Sequence, residues 1–257
     1  MIRSLVEDYY DMQKMRIELE NQLRSLAQGV SKQEEKFVKE KIFDRLHLIE
    51  KSIATYLNKK LKDEDIWKYW LKDVRGIGNV LAAGLVSWIG DIEPRIETIT
   101  IKQGEHKGET KEVEKGFKTI SKLWRYAGYA VNGDGFAEKR KAGEVLHFNP
   151  RLKTHLWKVG ESFVKTGDGY RKLYEQFRND YDEKWLTPEI CGSKGCKNKG
   201  NGKCMDGHRY EAAKRKTVKV FLAHYMMKAR ELKGLPIEHP FIIGRNGHGH
   251  EIPIIER

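Results

Sequence analysis

"VRGIGNVLAAGLVSWIGDI", residues 74 to 92, places Gly76-Ile77-Gly78 between an apolar, aromatic segment, "DEDIWKYW" at 63–70, and a segment rich in Ala and Leu. Helix, Gly-x-Gly turn, helix is the pattern of a helix-hairpin-helix element. Its glycines let the backbone come close to a phosphate, and the unpaired N–H groups at the following helix start, over Gly76, Ile77, Gly78 and Asn79, would form an anion site. By itself a Gly-x-Gly is more often only a tight turn. The flanking helices and the charge of the chain around it favour the phosphate reading.

Upstream, residues 2 to 27 repeat apolar positions at a seven-residue step, Leu5, Met12, Leu19 and Leu26, with Tyr9 and Leu23 on the adjoining stripe. This predicts a helix with one narrow seam. Ser31 followed by Glu34 is a capping-box pattern that starts a second helix, whose expected seam is Ile42, Leu46, Ile49, Ile53 and Tyr56. Two such helices predict an antiparallel coiled-coil hairpin. It would bury its seam internally or against a second protomer, because a lone hairpin buries little apolar area.

Downstream, "IETITIKQGEHKGETKEVEKGFKTI" (96–120) alternates apolar or β-branched with polar residues on both sides of Gly104 to Gly108, which predicts a β-hairpin. "SKLWRYAGYA" returns to helix. Pro150 opens another, with Leu152, Leu156, Val159 and Phe163 on one face, and Gly167 to Gly169 end it. Tyr170, Leu173, Tyr174, Phe177 and Tyr181 begin a further face, and the last long helix is expected from about Tyr210 to Leu232. The fold class is therefore mainly α. The domains expected are 1–73, a helical hairpin serving as an oligomerisation arm; 74–235, a helical domain with a small β-hairpin and a metal loop at 191–208; and 236–257, a Pro/Gly-rich tail.

All three cysteines fall in "CGSKGCKNKGNGKCMDGH", residues 191–208, with the spacing C-x4-C-x7-C-x3-H. An odd number of thiols strands one in any disulfide scheme, so metal ligation is the better account. Cys191, Cys196, Cys204 and His208 are the soft and borderline donors of a closed tetrahedral zinc site, which is structural because no position stays open for water. Glycines at 192, 195, 200, 202 and 207 suit a chain wrapped around an ion.

The chain carries 49 Lys and Arg against 37 Asp and Glu, a net +12. Residues 1–73 hold 15 basic and 14 acidic side chains, which leaves +11 to residues 74–257. A local excess of this kind points to a polyanion, DNA in the first place and RNA as a further candidate, since each cation placed on a phosphate releases counterions. The competing reading is a solvated Lys/Glu surface. Candidate contacts are Lys139, Arg140 and Lys141, and Lys214, Arg215, Lys216 and Lys219 at the start of the last helix. His248 and His250 in the tail form a weaker metal pair. No apolar run reaches about 18 residues, and "MIRSLVEDYY" lacks the core of a signal peptide, so neither a membrane span nor secretion is expected.

At "VRGIGNVLAAGLVSWIGDI", "LWRYAGYAV" and "EAAKRKTVKVFLAHYM" the chain resembles the C-terminal transposase domain of the DEDD-type, bridge-RNA-guided insertion-sequence transposases. The resemblance covers scattered blocks of residues 70–232. It implies a helical DNA-binding domain behind a coiled-coil arm, and a prokaryotic, mobile-element or viral setting in the cytoplasm at the nucleoid. Two departures bear on catalysis. The family's RNase H-like domain with its metal-binding acids is expected to be missing, because the chain starts at the arm. The segment where the family holds a nucleophilic serine, "NGDGFAEKRKAGEVLHFNP", contains none, and no serine lies between Ser121 and Ser162. The expectation is a non-catalytic DNA-binding homo-oligomer with structural zinc. The alternatives are an active transposase whose nucleophile lies elsewhere and a nucleoprotein that coats DNA.

Overall fold

Helix α1 (Ile2–Ser25) leads into α2 (Lys32–Val38), a π-helical turn (Lys39–Phe43) and α3 (Asp44–Leu61), followed by α4 (Asp65–Tyr69) and α5 (Asn79–Ile89). The computed structural model describes residues 1–25, 29, 31–101, 106–131, 143, 146–184, 196, 204–237 and 252–255. Two units emerge, one from Met1–Lys72 with Gly78–Trp88 and one from Asp73–Ile77 with Ile89–Arg257. Both are mainly helical, and a single two-stranded antiparallel sheet is present among the described residues.

In the first unit the capping box forms as expected: the Glu34 amide donates to Ser31 Oγ and the Ser31 amide donates back to the Glu34 carboxylate. Helix α1 packs along α3, burying Val6, Leu46, Leu57 and Leu61. The α3 seam differs from the expected one. Leu46 is buried and Ile53 half-buried, but Ile42, Ile49 and Tyr56 are exposed. Within α3 the inward positions run Leu46, Glu50, Leu57 and Leu61 rather than through Ile49 and Tyr56. Glu50 takes an inward position because Arg16 meets it there through Nε at 2.6 Å and Nη2 at 3.2 Å. Leu26, the last expected α1 seam position, lies outside the described residues.

Helix α5 belongs to this same unit. Its first residue, Asn79, donates from Nδ2 to the Ala54 carbonyl at 2.7 Å, and its Ser87 carbonyl accepts from Arg3 Nε at 2.7 Å. The boundary expected after residue 73 is thus recrossed by residues 78–88.

The second unit holds β1 (Arg95–Thr100) and β2 (Thr110–Lys115), paired antiparallel with Arg95 opposite Lys115 and Thr100 opposite Thr110. Then come α6 (Ile120–Tyr126), α7 (Pro150–Lys165), α8 (Tyr170–Lys184) and the long α9 (Asp206–Leu232). Asn149 caps α7 by accepting from the Arg151 and Leu152 amides, with Pro150 in the first turn where no N–H is needed. Helix α9 packs on α6, α7 and α8. The centre is aromatic: Phe163 and Tyr170 stack at 4.5 Å between centroids, and Phe221 meets both edge-on at 5.2 and 5.4 Å. Each such pair adds about 1 kcal/mol beyond its buried area. Tyr170 Oη hydrogen-bonds His224 Nδ1 at 2.8 Å, and His224 Nε2 donates to the Ile252 carbonyl at 3.0 Å. At the far end of α9, Arg230 donates to the carbonyls of Pro236 and Lys118 at 2.7 and 2.9 Å, tying the helix to the chain that leaves the hairpin. Among the described residues no helix is long and apolar enough to cross a membrane.

Candidate functional site

Cys204 lies two residues ahead of α9 and His208 within its first turn, so four residues of chain bring sulfur and imidazole to one side. Cys204 Sγ is 3.5 Å from His208 Nδ1 and 4.0 Å from Cys196 Sγ, and the three donor atoms lie within 4.8 Å of one another. Both thiols are buried. At 4.0 Å the sulfurs are about twice the length of a disulfide apart. Tetrahedral zinc, with bonds of about 2.3 Å to sulfur and about 2.0 Å to nitrogen, places its donors about 3.8 Å (S to S) and about 3.6 Å (S to N) apart. The three donors are thus grouped closely enough that they could hold a metal ion. Cys191, the fourth expected ligand, lies outside the described residues, as do His248 and His250.

A charged cluster fixes the helix start that carries His208. Arg178 of α8 reaches Asp182 and Asp206, and Arg209 of α9 reaches the same two carboxylates. Each of these four looks in sequence like an ordinary surface charge. Only the packing of α8 on α9 joins them.

The four basic residues at the start of α9 do not form one solvated row. Successive helix positions turn by about 100°, so Lys214, Arg215 and Lys216 point three ways. Lys214 is 3% exposed; its ammonium sits 2.6 Å from both Glu161 and Glu211, between the rings of Trp157 at 4.6 Å and Tyr210 at 4.8 Å. Arg215 lies over the Tyr129 ring and donates to the Ala130 carbonyl at 3.1 Å. Lys219 lies over Trp124, and burial, with a smaller contribution from Arg215, pulls its ammonium below the usual lysine range. Lys216 alone of the four is exposed, its ammonium 4.2 Å from the Phe177 ring centre. Lys139, Arg140 and Lys141 lie outside the described residues.

The Gly-Ile-Gly turn divides in the same way. Gly76 has φ +95°, its carbonyl accepts from Ser162 Oγ at 2.6 Å, and a β-carbon there would meet Phe163 and Thr166 at 3.2 and 3.3 Å. Its glycine requirement comes from backbone sign and from packing on α7. Ile77 is buried, and the Asn79 carboxamide is engaged by Ala54 and by the Val80 amide. Gly78 is exposed, with nothing within 4 Å of where a β-carbon would stand. It is the position in this turn with room for a ligand.

Three residues outside the sequence expectation belong to this region. Gly160 lets α7 approach α9, since a β-carbon there would lie 2.8 Å from Lys214 Cγ. Glu161 accepts from Lys214 and from the Tyr210 hydroxyl at 3.0 Å. Burial alone would raise its pKa, but those two bonds outweigh it and hold the carboxyl below the usual glutamate value. Trp157 stands 48% exposed above Lys214. A lysine inside the apolar face of a helix is the sequence signal that points to this group.

Compared with known protein families, curated proteins and solved structures, the chain matches none.

Proposed function

We propose that this chain is a zinc-containing DNA-binding protein that holds duplex or branched DNA through phosphate contacts, with little preference for sequence. The observation that carries the reading is the placement of charge, +11 of the net +12 beyond residue 73. Among the described residues of the expected set, Lys216 and Gly78 are exposed. Neither an ammonium nor a backbone amide reads base edges. Cys191, Cys196, Cys204 and His208 would hold zinc as a closed structural site, fixing the loop ahead of α9, and its donor spacing supports that assignment. The N-terminal helices would join protomers as a coiled-coil arm, using the exposed Ile49 and Tyr56 of α3, whose seven-residue spacing suits a second copy. The role fits a DNA-holding domain related to the C-terminal part of DEDD transposases, working at the nucleoid without its own phosphoryl-transfer chemistry.

The test is binding to linear, branched and single-stranded DNA over a salt series. Each neutralised phosphate contributes a slope of about −0.9 in log K against log salt. Lys216→Ala should reduce that slope by about one contact's worth without altering sequence preference. Binding that ignores salt, or no binding at all, removes the proposal.

A further inference from the structure

Arg215 and Lys219 stand one turn apart on the same side of α9, against α6 and the turn that follows it. Two like charges at that spacing repel, so they lower stability unless an acid compensates them. Neither has one. Arg215 gives a single nitrogen, Nη2, to two neutral carbonyls, Gly128 at 3.3 Å and Ala130 at 3.1 Å, and its guanidinium carbon lies 4.9 Å from the Tyr129 ring centre. Lys219 Nζ lies 4.2 Å from the centre of the Trp124 ring, whose Nε1 is itself engaged by the Lys219 carbonyl at 2.9 Å. Glu211, the acid one turn before Arg215, is paired with Lys214 instead.

Both cations are half-buried, which makes the missing acid more unfavourable: a charge drawn out of water without a counter-charge loses hydration and gains little in return. Burial, and after it Arg215, pulls the Lys219 ammonium below the usual lysine range, and burial pulls the Arg215 guanidinium down as well. The aromatic faces soften this but leave two full positive charges in place. The donors are nevertheless within reach. Lys219 Nζ and Arg215 Nε and Nη1 have no hydrogen-bond partner among the described residues, and all three keep contact with water. One tetrahedral anion answers each of these conditions: its oxygens bridge side chains whose β-carbons are about 5–6 Å apart, accept the open N–H groups and supply the negative charge.

We infer that Arg215 and Lys219 bind one phosphate group between them, with Tyr129 and Trp124 backing the two cations. This rests on the DNA-binding reading for the source of that phosphate, a backbone phosphodiester, and the experiment separates it from a free phosphate.

Thermal melting of the full chain in inorganic phosphate and in chloride at matched ionic strength tests the site, and fluorescence anisotropy with a labelled duplex tests the source. Phosphate should raise the parent's midpoint by several degrees more than chloride does. Lys219→Met keeps the stem over Trp124 and removes the charge, so it should melt above the parent in chloride and gain nothing further from phosphate. Lys219→Arg should retain the gain. On the duplex, Lys219→Met should weaken binding about 10- to 100-fold and lower the salt slope by about 0.9. A parent that gains no more from phosphate than from chloride, or a Lys219→Met chain that gains as much as the parent or melts below it in chloride, overturns the inference. If phosphate stabilises the parent but Lys219→Met binds duplex as the parent does, the site stands and takes a free phosphate. If the parent binds no duplex, the DNA reading falls and the phosphate result alone decides this site.

Discussion

Gly160 of α7 and Lys214 of α9 approach so closely that a β-carbon on the glycine would stand 2.8 Å from Lys214 Cγ and 3.1 Å from a Val218 methyl. The lysine can therefore thread past α7 to reach Glu161 and Trp157. Gly160→Ala should cost about 1–3 kcal/mol, since overpacking here presses on a side chain pinned at both ends. Thermal melting checks this, and an unchanged midpoint would mean the helices separate freely.

Acid should loosen the same contact. Because Glu161 titrates below the usual glutamate value in the folded chain, its contribution is complete above the unfolded value and is lost as the pH falls through the lowered folded one. Glu161→Gln should be less stable than the parent at neutral pH, and the difference should shrink toward pH 3. A gap that stays constant across that range would contradict the pairing.

Metal content is the direct test of the knuckle. Purified chain should carry close to one zinc, and Cys204→Ser should lower zinc affinity by more than about 100-fold, as loss of a ligand exceeds the 10- to 100-fold typical of its outer partners. Chelation should leave the helical signal largely intact, because Phe163, Tyr170 and Phe221 pack without any metal ligand among them. Elemental analysis and circular dichroism read the two outcomes.

Arg16 and Glu50 make the strongest polar prediction in the first unit. Glu50 is buried and paired through two hydrogen bonds, so Arg16→Met leaves a buried carboxylate uncompensated and should cost about 3–5 kcal/mol. Restoring an apolar pair with Glu50→Leu in the same chain should recover most of that loss in denaturant melts.

The exposed α3 row predicts self-association. Ile49→Glu should shift a sedimenting oligomer toward monomer while leaving the fold intact, since Ile49 is 45% exposed. A chain that is already monomeric at high concentration excludes this use of the row.

What could be read in the sequence was what local chemistry decides. Ser31 with Glu34, Pro150 in a first helical turn, and the alternation on either side of residues 104–108 each specify a helix start or a hairpin through neighbours a few residues apart, and each is found. Of the cysteine–histidine set, Cys196, Cys204 and His208 stand close enough together that they could hold a metal ion, Cys204 and His208 being only four residues apart in the chain. What stayed hidden depends on packing between distant segments. Glu50 is held inward by Arg16 of α1, and Lys214, which the sequence places in a basic row, is enclosed by Glu161 and Trp157 of α7. Gly76 drew attention for the right property, its freedom of backbone, while the neighbours that demand it are Phe163 and Thr166 at the end of α7 rather than open solvent.

Helix α9 spans 27 residues, about 40 Å, with the cysteine cluster at one end and Arg230 gripping the exit of the hairpin at the other. A rod of that length is a lever. If the knuckle at Asp206 were tilted by about 10°, the Arg230 end would swing by about 7 Å, several times the slack in the hydrogen bonds it makes there. Because α9 also packs on α6, α7 and α8, those helices would have to yield with it, and their packing sets how far any such tilt can travel.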